Sequence, residues 1–143
     1  MTLQVLVSTM HQKDYSLLDT MNIQSDAIVV NQCDRNEIKE FEYKGHQIKW
    51  ISLAERGVGL SRNTALMRAT ADVLLFADDD VVYLDGYVDI VLSEFINNPD
   101  VDVFTFNLNS LNTVRPEYID SKNHKLHWYN SLKYGAFRIA IRR

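Results

Sequence analysis

A single cysteine, Cys33, stands among 143 residues, which excludes an intramolecular disulfide and suits a reducing compartment. No stretch approaches the length of a membrane-spanning helix. The opening Met1-Thr2-Leu3-Gln4-Val5-Leu6-Val7 has neither a basic n-region nor a long apolar h-region, so it does not read as a signal peptide. Two prolines and five glycines leave no room for a linker rich in either, and no repeat or low-complexity segment is visible. Basic charge is not in excess. Fifteen Lys and Arg against 19 Asp and Glu give a net charge of −4, which argues against nucleic-acid binding through the phosphate backbone.

What is present describes a soluble globular domain. An apolar fraction of 46% is ample for a core, and 143 residues suit one domain, 1–143, better than two. Cytoplasmic is the default placement. Seven Lys or Arg lie between Arg115 and Arg143, against only Glu117 and Asp120. A solvated basic face explains that tail, and the inner face of a membrane or a polyanionic substrate is the sharper alternative.

Apolar runs alternate with helix-like segments. Leu3 to Val7, Ala27 to Val30 and Gln47 to Leu53 read as strands, with a helix around Asp14 to Met21 and a turn at Lys44-Gly45-His46. Gly57-Val58-Gly59 breaks the chain, and Ser61 can cap a helix from Arg62 to about Thr70. Val73 to Ala77 is a buried strand. Asp85 can cap a helix that ends before Asn97-Asn98-Pro99. Val101 to Phe106, Leu126 to Tyr129 and Tyr134 to Ile141 complete the strands, with a loop from Asn107 to Asn123. The pattern predicts an α/β fold: a mostly parallel sheet, helices on both faces and a short antiparallel addition near the C-terminus. The last strand runs almost to Arg143, so the domain reads as incomplete at its C-terminal side and open to self-association.

Three consecutive carboxylates, Asp78-Asp79-Asp80, follow the apolar strand directly. Crowded like charges give an apolar core nothing, whereas Mg²⁺ or Mn²⁺ would relieve their repulsion. Strand ends of open α/β sheets are also where ligands bind. An acidic turn before the next helix is the plain alternative. In a doubly wound sheet Ser8, Thr9, Asn31 and Gln32 would gather at the same edge, supplying hydroxyls and amides for a base and ribose. The glycine loop leads into a helix start bearing Arg62 and Asn63, a place suited to an anion. Together these parts describe a nucleoside-diphosphate site.

Gly59-Leu60-Ser61-Arg62-Asn63-Thr64-Ala65-Leu66, followed by Ala71-Asp72-Val73-Leu74-Leu75-Phe76-Ala77-Asp78-Asp79-Asp80-Val81-Val82, resembles the donor-binding half of family 2 glycosyltransferases with the Rossmann-like GT-A fold. The resemblance extends weakly from Val5 to about Phe106, and Tyr134-Gly135-Ala136-Phe137-Arg138 resembles the start of the acceptor half. It implies a DXD motif in which Asp78 and Asp79 bind the donor and Asp80, with Asp78, holds Mn²⁺ or Mg²⁺. Arg62 matches an arginine near the nucleotide. Ser8, Thr9 and Met10 fall beside the base, and Gln32 falls where an aspartate usually accepts the uracil N–H. The implied reaction is inverting transfer from a nucleotide sugar, UDP-linked by default, to an acceptor such as a glycan or lipid-linked glycan. None of the acids after Asp80 sits in the context of the family's general base, which therefore reads as absent.

Two other readings compete. A non-catalytic nucleotide-sugar-binding or assembly module would also lack a base. Haloacid-dehalogenase-type phosphatases carry D-x-D-x-[TV], which Asp78 to Val82 fits, but on a first strand and with a later lysine and acidic pair. His124 and His127 lack further ligands for a metal site, and Trp50, Trp128 and Cys33 read as ordinary packing residues.

Overall fold

The computed structural model describes residues 1–107, Lys125 and 135–143. Strands β1 (Leu3–Met10), β2 (Asp26–Gln32), β3 (Glu37–Tyr43), β4 (His46–Leu53), β5 (Val73–Asp78), β6 (Val103–Thr105) and β7 (Ile139–Arg142) form one sheet in the order β3-β4-β2-β1-β5-β7-β6. The central four, β4-β2-β1-β5, are parallel, while β3, β7 and β6 join antiparallel. Helices α1 (Leu17–Thr20), α2 (Val58–Leu66) and α3 (Tyr87–Asn97) lie between strands. This is the expected α/β architecture, with its antiparallel addition at β6 and β7. Among the described residues no helix is long and apolar enough to cross a membrane.

Burial on both faces explains the uninterrupted apolar runs of β1, β2 and β5. Val5, Val7, Val29, Val73 and Leu75 face a core closed by Leu17 and Leu18 of α1 and Tyr87, Val91 and Phe95 of α3. Leu6, Ile28, Val30 and Leu74 face a second, smaller core closed by Ala65 of α2 and by Ala69. Each such side chain contributes about 1.5–3 kcal/mol on burial. Trp50 and Cys33 are buried.

Several local expectations need correction. The edge strand β3 is absent from the apolar pattern, because its Glu37, Ile38, Lys39, Glu40 and Glu42 are exposed. The hairpin joining it to β4 turns at Lys44 and Gly45, both with positive φ (50° and 83°). Helix α2 begins at Val58 rather than Arg62, so Ser61 lies inside it and does not cap it. Gly86, not Asp85, precedes α3 in the left-handed region (φ 77°). Asp85 instead accepts from Asn22 Nδ2 (2.9 Å) and Gln24 Nε2 (3.1 Å), tying the loop after β5 to the segment between α1 and β2. Near the C-terminus a 3-10 turn, Ala136–Arg138, precedes a strand shorter than expected. The strand expected at Leu126 to Tyr129, His124, His127 and Trp128 fall outside the described residues, as does the expected loop beyond Asn107.

Part of the basic tail is structural. Arg142 Nη2 donates to three carbonyls around the end of α3, those of Phe95 (3.0 Å), Asn98 (3.4 Å) and Val101 (3.3 Å). Its guanidinium also lies 5.3 Å from the centre of the Phe95 ring. These contacts cap the helix with a cation and bind β7 to α3. Arg138 is buried as well.

Arg142→Ala is expected to destabilise the fold by about 2 kcal/mol in urea unfolding, as loss of a charged hydrogen-bonding group implies. Arg142→Lys should recover only part, because an ammonium cannot reproduce the guanidinium's planar fork. Close by, one residue before β5, Asp72 accepts from Thr2 N (2.7 Å) and Thr2 Oγ1 (3.1 Å). The Thr2 backbone N–H, chiefly, holds this carboxyl below its ordinary value of 3.8. A depressed folded-state pKa stabilises the protein above the ordinary value, and that contribution disappears as pH falls below about 4. Asp72→Asn should therefore flatten the acid side of the stability–pH curve and leave its alkaline side unchanged.

Candidate functional site

The carboxyl ends of β1, β2 and β5 meet at one edge because their registers run level: Ser8 pairs with Asp78, Thr9 with Asn31, and Met10 with Gln32. Side chains alternate along each strand, so this edge has two sides. Ser8 and Asp78 turn toward α2, and Thr9 and Asp79 turn away from it. The partners of each confirm the division.

On the α2 side, Ser61 Oγ donates to Ser8 Oγ at 2.9 Å, a buried hydroxyl pair. Arg62, one residue on, places Nη2 2.8 Å from Asp78 Oδ1. Gly57 precedes the helix with φ 150° and donates its N–H to Gln32 Oε1 at 2.5 Å. A Cβ there would meet only Leu60 Cβ, at 3.7 Å, so backbone conformation rather than space calls for glycine. Three contacts thus seat the start of α2 on the strand ends. No side chain caps that start, which leaves its first N–H groups open. Arg62 also borders a cleft of about 250 Å³ between α2 and β5, floored by Phe76 and Ile139.

Away from α2, Thr9 Oγ1 donates to Asp79 Oδ2 at 2.6 Å and accepts from Gln12 Nε2 at 2.9 Å. The wholly buried Asn31 bonds the Gln12 backbone twice, accepting from its N–H and donating to its carbonyl, each at 3.0 Å. Gln12 gives no sign in the sequence of this role, since its contacts depend on the turn at His11, where φ is 56°.

The triplet is therefore not a single cluster. Asp78 is balanced by Arg62, Asp79 is bonded to Thr9, and Asp80, beyond the strand, is exposed. Among the described residues Asp80 finds no hydrogen-bond or ion-pair partner. Among the described residues no three His, Cys, Asp or Glu side chains converge as a ready-made metal site. Met10 is 42% exposed at the end of β1 and Gln32 is only 5% exposed. The structure thus brings Ser8, Gln32, Arg62 and Asp78 together on one side and Thr9 with Asp79 on the other, with Asp80 at the rim.

Ser61→Ala should leave the buried Ser8 hydroxyl without its partner and cost about 1–2 kcal/mol of stability, read by chemical denaturation. A change below a few tenths of a kcal/mol would show that this hydroxyl pair does not hold α2 in place.

The family model for glycosyl transferase family 2 matches residues 15–141, a span that includes α2, the triplet and the antiparallel strands. No curated protein and no solved structure matches the chain. A parallel β4-β2-β1-β5 core with helices on both faces agrees with the GT-A, Rossmann-like architecture. On the extent of that match and this architecture, the chain belongs to glycosyl transferase family 2.

Proposed function

We propose that this edge holds a nucleoside-diphosphate sugar and that the chain is the donor-binding part of an inverting, metal-dependent transferase. Glycosyl transfer is the general chemistry of the family. Asp80 is the observation that carries the finer reading. It is an exposed carboxylate without a partner among the described residues, beside two neighbours whose charges are already engaged.

Carboxylate oxygens suit a hard cation such as Mn²⁺ or Mg²⁺. Asp80 and the second oxygen of Asp78 would hold it, with diphosphate oxygens and water completing its shell. When bound, the ion neutralises charge on the departing nucleoside diphosphate. The chain's own groups bind and orient the donor. The uncapped N–H groups of α2 attract phosphate. The Arg62 charge lies at the same rim, and Met10 offers an apolar surface beside the base. The bonds that Ser8, Thr9 and Asn31 make inside the protein keep this frame rigid. The resemblance implies uridine as the base and a glycan or lipid-linked glycan as the acceptor. No described acid is assigned as the base that activates the acceptor hydroxyl.

Calorimetric titration with UDP and GDP, each with and without Mn²⁺, tests this reading. Diphosphate binding is expected only with the metal, and Asp80→Ala should weaken it at least about tenfold without moving the unfolding midpoint. Absence of diphosphate binding in the presence of metal, or an affinity untouched by Asp80→Ala, would overturn it.

A further inference from the structure

Residues 79–86 connect β5 to α3 without regular structure, and Asp80 lies near their start. A carboxylate on such a stretch has no intrinsic place, and two devices give it one. Beside Asp80, the Val81 N–H donates to the Asp78 carbonyl at 3.3 Å, and the Val81 side chain is buried in the larger core. Further on, the connection is stapled to the segment between α1 and β2. The Tyr83 N–H donates to the Met21 carbonyl at 3.0 Å. Asn22 Nδ2 uses both its hydrogens, one on the Tyr83 carbonyl (3.0 Å) and one on Asp85 Oδ1 (2.9 Å). Gln24 donates through Nε2 to the same carboxylate oxygen (3.1 Å) and accepts the Gly86 N–H through Oε1 (3.2 Å). Tyr83 does not account for this arrangement, since its buried hydroxyl finds no hydrogen-bond partner among the described residues. That burial is unfavourable, so the backbone and amide bonds hold the connection in place against it.

We infer that Asn22 is a positioning residue for glycosyl transfer, which fixes the connection carrying Asp80 and so keeps that carboxylate ordered for a divalent ion. The inference rests on the donor-site reading above. A ligand that is already ordered loses less freedom when the ion arrives. Asp80 is exposed and finds no partner of its own among the described residues, so its order must come from the backbone on either side of it. Asn22 itself has φ 55°, a conformation that asparagine and glycine adopt more readily than other residues. Asn22→Gly therefore removes the amide and keeps the turn.

The test titrates Mn²⁺, alone and with UDP, into the whole chain and reads bound ion by electron paramagnetic resonance, well below every unfolding midpoint. Asn22→Gly is expected to weaken Mn²⁺ binding about tenfold, the lower end of the loss when support for a metal ligand is removed. A purely structural role would lower the midpoint and leave the affinity alone. Should the glycine variant not fold, Asp85→Ala and Asp85→Asn provide the second reading. Both delete the charge, but asparagine keeps the oxygen to which Asn22 and Gln24 donate. Asp85→Ala should weaken Mn²⁺ binding, and Asp85→Asn should restore most of the native affinity. Equal losses in these two, or native binding that Asp80→Ala weakens and Asn22→Gly does not, overturn the inference and leave the donor site standing. Absence of Mn²⁺ binding to the native chain, with and without UDP, removes the donor site and the inference with it.

Discussion

Burial of β1, β2 and β5 on both faces is the constraint from which the rest of the structure follows. A strand covered on each side can carry polar groups only where it leaves the sheet. Val5 and Val7 face one core and Leu6 the other, so polar Ser8 and Thr9 come only where β1 nears its carboxyl end and partners are within reach. The same holds for Asn31 after Val30 and for Asp78 after Ala77. Level registers then place these polar ends side by side. The concentration of hydroxyls, amides and carboxylates at one edge is thus a consequence of the core, before any ligand is considered.

Gathering polar groups at a buried edge creates a second requirement, since each must find a partner. Most do so within the chain: Ser8 with Ser61, Thr9 with Asp79 and Gln12, Asn31 with the Gln12 backbone, and Asp78 with Arg62. These bonds fix the start of α2 and the turn after β1. What they leave over among the described residues is small and specific: Asp80 and the open N–H groups of α2. A rigid frame with a few unused donors and acceptors is what a binding site requires, because the frame does not have to be ordered when the ligand arrives.

Much of the fold was legible because long apolar runs survive any register: β1, β2, β4 and β5 are all visible in the sequence. The edge strand β3 was not, because Glu37, Lys39, Glu40 and Glu42 lie on an exposed edge that no pattern of burial marks. The start of α2 was misplaced for a different reason. Ser61 has the local chemistry of a helix cap, but a residue 53 positions away, Ser8, claims its hydroxyl. Asp85 was misread in the same way, since Asn22 and Gln24 take its carboxylate. At the site, the triplet, Arg62 and Gln32 were visible as residue types. Which carboxylate lacked a partner among the described residues, and that the Gln32 oxygen accepts from Gly57, depended on residues distant in sequence.

Charge gives the proposed metal dependence a physical basis. The rim carries Asp78, Asp79 and Asp80, and of the described cations only Arg62 makes an ion pair with them. That leaves a net negative edge, which would repel a diphosphate. Two unit charges 4 Å apart repel by about 4 kcal/mol at the effective dielectric of a protein surface, enough to offset several hydrogen bonds. The helix start of α2 supplies roughly half a positive charge, too little to reverse the balance. A divalent ion held by Asp80 would turn the same carboxylates from a barrier into ligands. A donor site built on this edge would therefore be closed to the nucleotide alone and open to it with a cation.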